Sequence, residues 1–177
     1  TGTDRNAEVA RHQEETQIVN VQGDEPTINP GTIDRTVQPL LDRPDVVMST
    51  AKHLIAHPEQ AQNPNVVKVV CDATGLALYF SRAPIPHIRD TADAGPAPRC
   101  YWQHIGLYAY RRDFLLEYAG MPQTPLERLE KLEQLRVLEN GYKIAVVETE
   151  YKSIGVDVFE DFELVRSLLE GGAETEQ

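Results

Sequence analysis

The chain has 177 residues, with 17 Lys and Arg against 28 Asp and Glu, a formal net charge of −11 and 41% hydrophobic residues. That length and apolar share predict one globular domain with a real core, and the acidic balance excludes a nucleic-acid backbone binder, which needs a clustered basic face. No run of about 18 apolar residues reads as a membrane span, no N-terminal signal segment is expected, and Cys71 and Cys100 lie outside any metal-ligand spacing, as free thiols of a reducing cytoplasm would.

The polar stretch from Asn6 to Glu15, entered through Thr or Asp capping, predicts a short surface helix. Gln17-Ile-Val-Asn-Val21 is a β-branched run stopped by Gln22-Gly-Asp-Glu-Pro26, as expected of a central strand in an α/β sheet. Asn29-Pro30 supplies an N-cap and a first-turn Pro for a helix to about Asp42, with Ile33, Val37, Leu40 and Leu41 on its inner face. Val46 to Leu54 reads as the next strand. The runs Asn65 to Cys71 and Leu76 to Ser81 flank Asp72-Ala-Thr-Gly75 and predict an antiparallel hairpin.

The Pro-rich stretch from Pro84 to Arg99 is a long loop. Tyr101 to Tyr110 is a strand and Asp113 to Ala119 a short helix. Thr124-Pro-Leu-Glu127 forms a capping box opening a helix to about Glu139, closed by Asn140-Gly141. A strand over Lys143 to Val147, a last helix over Asp157 to Glu170 and a disordered tail over 171–177 complete the chain. Strand–helix alternation with an inserted hairpin defines a three-layer α/β/α fold over residues 1–170, in which ligands bind beyond the carboxyl ends of the strands.

Asp24 and Asp157 each follow a Gly region at a strand-to-helix junction, on one predicted rim of the sheet. Two such carboxylates suit Mg²⁺ and its preference for substrate oxygens. Asp157 with Glu160 is equally a capping box. His104 and Tyr108, four apart on one strand, share a face that lines either a polar cleft or a half-buried sheet. Arg82 and Arg89 flank the prolines of the long loop, where they either hold an anion or pair with surface carboxylates. Glu133-Gln134 falls mid-helix, where a solvent-exposed polar face is the plain expectation. No phosphate-binding Gly loop, GxSxG or zinc spacing is present. Cys71, after a Val-rich strand, reads as a small packed hydrophobe.

Taken in order, these stretches resemble the 3-deoxy-manno-octulosonate (Kdo) cytidylyltransferase family. The resemblance is carried by Gly2-Thr-Asp-Arg5, Val19-Asn-Val-Gln-Gly-Asp-Glu-Pro26, Asn63-Pro-Asn-Val-Val-Lys-Val-Val70 and Leu78-Tyr-Phe-Ser-Arg-Ala83, then by His104-Ile-Gly-Leu-Tyr-Ala-Tyr110, Leu126-Glu127, Leu132-Glu-Gln-Leu-Arg136 and Gly155-Val-Asp157. It implies a mixed-sheet fold of the nucleotide-diphospho-sugar transferase (GT-A-like) kind, and an enzyme making CMP-Kdo and pyrophosphate from CTP and Kdo for lipopolysaccharide biosynthesis. It also implies a cytoplasmic homodimer that binds neither nucleic acid nor membrane. By the same resemblance Asp24 and Asp157 hold Mg²⁺, and Gln22 sits beside the sugar acid and the reacting phosphate. Arg82, His104, Tyr108, Glu133 and Gln134 line the sugar-acid pocket, Arg89 stands on its lid loop, and Gly2, Thr3 and Arg5 lie near the cytosine.

The family's P-A-R-x-x-S-x-R-x-x-G-K-P loop is absent, and the chain opens at Thr1 rather than Met. The sequence therefore reads as the C-terminal two-thirds of the family's domain, expected to be inactive alone. After Ser81-Arg-Ala83 the run is Pro84-Ile-Pro86-His87, where the family has Thr-Ile-Pro and an aromatic, so the register of Arg89 is looser than that of Arg82. The rivals are a sialic-acid cytidylyltransferase and a non-catalytic dimerisation or binding domain of the same fold.

Overall fold

The computed structural model describes residues 2–22, 27–89 and 100–151, together with Glu163 and Arg166. Residues 23–26, with Asp24, residues 90–99 of the expected long loop, nearly all of the predicted last helix with Asp157, and the expected tail at 171–177 lie outside the described residues.

Among the described residues, six strands form one sheet. β1 (Gln17–Val21), β2 (Val46–Leu54), β3 (Lys68–Cys71), β4 (Ala77–Ser81), β5 (Trp102–Arg111) and β6 (Lys143–Thr149) are arranged β4-β3-β5-β2-β6, with β1 pairing only with β5. β2 and β6 are parallel, while β1, β2 and β3 each run antiparallel to β5. β1, β2 and β6 therefore point the same way; β1 ends beside Leu107, level with Thr50 of β2, while β2 and β6 continue to Leu54 and Thr149. The expected central position of β1 is not found. Among the described residues it is an edge strand, with Val19 and Val21 on an exposed face.

Helices cover both faces, as the three-layer expectation requires. α2 (Pro30–Asp42) has the predicted bounds, because the Asn29 side chain accepts from Gly31 N–H and Pro30 supplies the first turn. Leu40 of the predicted inner face is buried and Ile33 and Val37 pack half-buried against the core, but Thr32 and Thr36 are the other fully buried residues. Leu41 is 57% exposed, since a residue next to Leu40 points about 100° around the helix. Thr32 and Thr36 fit because their hydroxyls are used: Thr32 bonds Thr149 of β6, and Thr36 bonds the Thr32 carbonyl. Ile105, Leu107 and Ala109 of β5 face this layer.

The opposite face carries the larger core. Tyr108 and Tyr110 of β5, Met48, Ile144 and Val146 pack there against Phe114, Leu115, Tyr118, Leu135 and Val137. The helices above them are α1 (Gly2–Ala10), α3 (Arg112–Gly120), α4 (Pro125–Glu130) and α5 (Gln134–Glu139). α1 begins and ends earlier than predicted, because Ala7 and Ala10 are its buried anchors and nothing apolar follows before Ile18.

The single helix expected from Thr124 to Glu139 is two. Lys131 stands between them in the left-handed region, at φ 54°. The Thr124 start is as predicted, with Glu127 reaching back to the Thr124 N–H at 3.2 Å. The corner is held by a buried ion pair. Arg136 Nε and Nη2 donate to the two Glu127 carboxylate oxygens at 2.8 and 2.5 Å, Nη1 donates to the Met121 carbonyl, and the guanidinium lies 5.0 Å from the Tyr118 ring centroid.

A buried charge stripped of its partner is costly. Glu127→Ala or Arg136→Ala should therefore each lower the unfolding free energy by about 3–5 kcal/mol in urea denaturation, with Glu127→Leu plus Arg136→Met recovering a large part. Single-variant losses under about 1 kcal/mol would show that the corner is held by packing instead.

Candidate active site

The site grows from an irregularity in β5. Thr50 of β2 pairs with Tyr108, but the next residue, Ala51, pairs with Ile105, leaving Gly106 and Leu107 as extra residues on β5. Such bulges re-aim side chains while preserving the alternation on either side. Here His104, Gly106, Tyr108 and Tyr110 all face the larger core. The Thr50 hydroxyl fills the bulge, donating to the Leu107 carbonyl at 2.7 Å and lying 3.1 Å from the Ile105 carbonyl.

The same hydroxyl lies 2.9 Å from His104 Nε2. A threonine has one proton. With that proton on a main-chain carbonyl, His104 must donate from Nε2, which leaves Nδ1 as an acceptor. Burial holds the imidazole neutral by lowering its pKa to about 3. His104 is thus a fixed hydrogen-bonding group rather than an acid. It is wedged between Phe80 at 5.1 Å and Tyr108 at 5.3 Å, ring centroid to centroid. Burial likewise raises the Tyr108 phenol well above its usual range, aided by the nearby Glu133 charge, so the hydroxyl keeps its proton.

Gly106 has a steric role. A Cβ there would lie 2.9 Å from Gln22 Oε1 and 3.1 Å from Gln22 Cδ. The Gln22 carboxamide therefore rests against the bare backbone of β5, between the His104 and Tyr108 positions. Gln22 follows directly on β1, which ends level with the bulge at Thr50 and Ala51, so it stands partway along β5 rather than at its end.

Glu133 and Gln134 are not mid-helix. They follow the Lys131 break, with Glu133 as the residue before α5 and Gln134 as its first. The break turns them inward. Glu133 accepts from the Thr3 hydroxyl at 2.5 Å, and its carbonyl accepts from the Tyr118 hydroxyl at 2.6 Å. Gln134 is 3% exposed, and its Nε2 has no partner among the described residues. Thr3, at the start of α1, is thereby joined to the same group.

The arginines diverge. Arg82 Nε donates to the Glu130 carbonyl at 2.8 Å and its Nη1 to the Pro64 carbonyl at 2.9 Å, so among the described residues its side chain is held by main-chain carbonyls. Arg89 and Arg5 are exposed. Cys71 is half-buried against the larger core, as expected, and burial raises its thiol pKa. The structure gathers Thr3, Gln22, His104, Tyr108 and Glu133 into one cluster, with Gln134 beside it in the corner. It adds Thr50, Gly106 and Tyr118, which sequence reasoning did not single out; a Gly inside an otherwise regular strand pattern was the available signal for the bulge. Asp24 and Asp157 lie outside the described residues, and among those described no group of three His, Cys, Asp or Glu side chains could hold a metal ion.

An open mixed sheet covered on both faces, with a buried polar cluster at the end of β1, is the frame of a nucleotidyltransferase. A model of the cytidylyltransferase family matches residues 1–144. The 3-deoxy-manno-octulosonate cytidylyltransferase of Solibacter usitatus (strain Ellin6076) is 56% identical over 168 residues, covering 95% of this chain and 65% of its own length. That of Syntrophotalea carbinolica is 55% identical over 175 residues, covering 97% and 70%. A solved CMP:2-keto-3-deoxy-manno-octonic acid synthetase complexed with CTP superposes with a TM-score of 0.89 at 39% identity, over 97% of this chain and 69% of that one. The chain belongs to the 3-deoxy-manno-octulosonate cytidylyltransferase family. It spans about two-thirds of the length of these relatives.

The neutrality of His104 has a measurable sign. Unfolded, the imidazole takes a proton near 6.5; folded, only near 3. Between these values the unfolded state binds the extra proton, so stability falls as pH drops below 6.5, by about 1.4 kcal/mol per pH unit. His104→Gln should flatten the dependence of unfolding free energy on pH between 6.5 and 4.5 by that slope. Equal slopes in the two proteins would mean that the folded imidazole protonates freely.

Proposed function

We propose that the protein transfers the cytidylyl group of CTP to Kdo, releasing pyrophosphate. One observation carries the reading beyond family membership. The Gln22 carboxamide is laid against Gly106 between two neutral, buried polar groups, just past the end of β1, where a sugar hydroxyl and a phosphate can meet. In the reaction, the anomeric oxygen of Kdo forms a bond to the α-phosphorus of CTP, the bond to the pyrophosphate oxygen breaks, and the hydroxyl proton is lost. Such transfers rest on positioning and charge neutralisation more than on covalent catalysis.

The residues of this chain then divide the work. His104 Nδ1 accepts from, and the Tyr108 hydroxyl donates to, polar groups of the sugar acid. Gln134 Nε2 supplies a further donor from the corner, and Glu133, tied to Thr3, links the sugar side of the cluster to α1. Gly2, Thr3 and Arg5 are the nucleotide side, and Arg82 and Arg89 face the sugar carboxylate. Asp24 and Asp157 would hold Mg²⁺, which supplies charge neutralisation at the α-phosphate and lowers the pKa of the attacking hydroxyl. Support for that pair is topological: Asp24 follows β1 and Asp157 follows β6, two strands that run in the same direction through the sheet. Homodimerisation, a cytoplasmic location and a place in lipopolysaccharide biosynthesis belong to the same reading and rest on the family.

The test is pyrophosphate release by the protein at the length of its relatives. CTP with Kdo should turn over, and replacing Kdo by N-acetylneuraminate should not. Silence with both sugar acids would return the chain to the non-catalytic reading. Tyr108→Phe should raise KM for Kdo about tenfold, the worth of one lost hydrogen bond to a buried group, with KM for CTP within about twofold. Equal effects on both substrates would remove Tyr108 from the sugar side.

A further inference from the structure

The most deeply buried charge in the described structure has no part in the chemistry above. Lys68 of β3 is 0% exposed, yet its ammonium is satisfied. It donates to the carbonyls of Asn63 at 3.0 Å, Val66 at 2.5 Å and Arg82 at 2.6 Å, one acceptor for each of its three protons. Burial lowers the Lys68 pKa, and the Glu130 carboxylate nearby works the other way. A methionine would fill a similar volume without the cost of desolvating a charge. The question is what the charge holds in place.

All three acceptors bear on Arg82. The Arg82 carbonyl is itself one of them. Asn63 and Val66 bracket Pro64, whose carbonyl receives Arg82 Nη1. The other restraints come from Glu130: its carboxylate accepts from Arg82 N–H at 2.9 Å and from the Ser81 hydroxyl at 2.7 Å, and its carbonyl accepts from Arg82 Nε. Arg82 is therefore gripped along its main chain and at its guanidinium. Two of the five guanidinium donors are used on main-chain carbonyls, which sets the plane and direction of the rest. The same network reaches the site from two sides. Val67, between two of the linked residues, accepts the His104 N–H at 2.8 Å, and Glu130 is the last residue of α4 before the corner that carries Glu133 and Gln134.

We propose that Lys68 is a positioning residue for the sugar-acid side of the site: its buried ammonium fixes Arg82 and the Asn63–Val66 segment so that the remaining guanidinium donors meet a carboxylate in one orientation. The inference rests on the reading that Arg82 faces the sugar acid. Lys68 touches no substrate, and its effect passes through Arg82.

A double-variant cycle on the protein at the length of its relatives tests this, with steady-state kinetics in CTP and in Kdo. Arg82→Ala alone first examines the underlying reading. It should raise KM for Kdo at least tenfold and leave KM for CTP within about twofold; no change would overturn both the reading and the inference built on it. Lys68→Met should also raise KM for Kdo about tenfold with KM for CTP little changed. The double variant should be no more than about twofold worse than Arg82→Ala, because Lys68 has nothing left to position. Lys68→Gln, which keeps two donors for the carbonyls, serves if Lys68→Met does not fold, and the same pattern is expected of it. Multiplying effects in the double variant, an equal rise in both KM values, or an unchanged KM for Kdo while Arg82→Ala raises it would each overturn the positioning role.

Discussion

The buried pair between Glu127 and Arg136 is the constraint on which the site side of the molecule depends. It joins the first turn of α4 to the middle of α5 across a left-handed residue, so the chain must turn at Lys131 rather than continue as one helix. Arg136 also reaches the Met121 carbonyl and the Tyr118 ring, which locks the end of α3 to the same corner. Desolvating two charges is costly, and the geometry answers that with two parallel hydrogen bonds and further main-chain partners. The consequence is positional. Glu133 and Gln134 are turned towards the aromatic core instead of solvent.

A second feature of the site is that its aromatic wall carries no charge, although Glu133 stands beside it. His104 is kept neutral, and Tyr108, Tyr110 and Tyr118 are kept protonated, all by burial. Their rings form a row from Phe80 through His104, Tyr108, Tyr110 and Tyr118 to Phe114. Such a wall offers rigid polar atoms in a low-dielectric setting and exchanges no protons near neutral pH. That suits a transfer governed by orientation, with charge supplied from the rim. The charged groups that brace it, Lys68, Glu130 and the Glu127–Arg136 pair, are engaged by main-chain atoms, by the Ser81 hydroxyl or by one another.

Local signals in the chain predict some elements to the residue and mislead on others, for identifiable reasons. α2 has its predicted bounds because Asn29 and Pro30 form a cap that needs no tertiary partner. The β3–β4 hairpin follows from Asp72, whose carboxylate binds the Thr74 and Leu76 N–H groups, and from Gly75 at φ 79°. The Lys131 break had no such signal. Leu126-Glu-Arg-Leu-Glu-Lys-Leu-Glu133 is made of good helix formers and contains no Gly, so propensity favours continuing the helix. The edge position of β1 is equally silent locally, since Ile18 and its neighbours alternate in the same way wherever the strand is placed.

By itself the sequence determined which residue types are present and in what order: the strand and helix periods, the caps, and the collinear motifs that carry the family. Chemical identity and short-range hydrogen bonding are properties of a few adjacent residues, so they can be read along one dimension. The tertiary structure alone decided which of those residues meet. It set Gln22 against Gly106 across two strands, turned His104 into a neutral acceptor through a threonine 54 positions away, joined Thr3 to Glu133 across 130, and gave a buried lysine a grip on an arginine. Those facts depend on burial and on contacts between distant segments, whose energies exist only once the sheet has closed over its core.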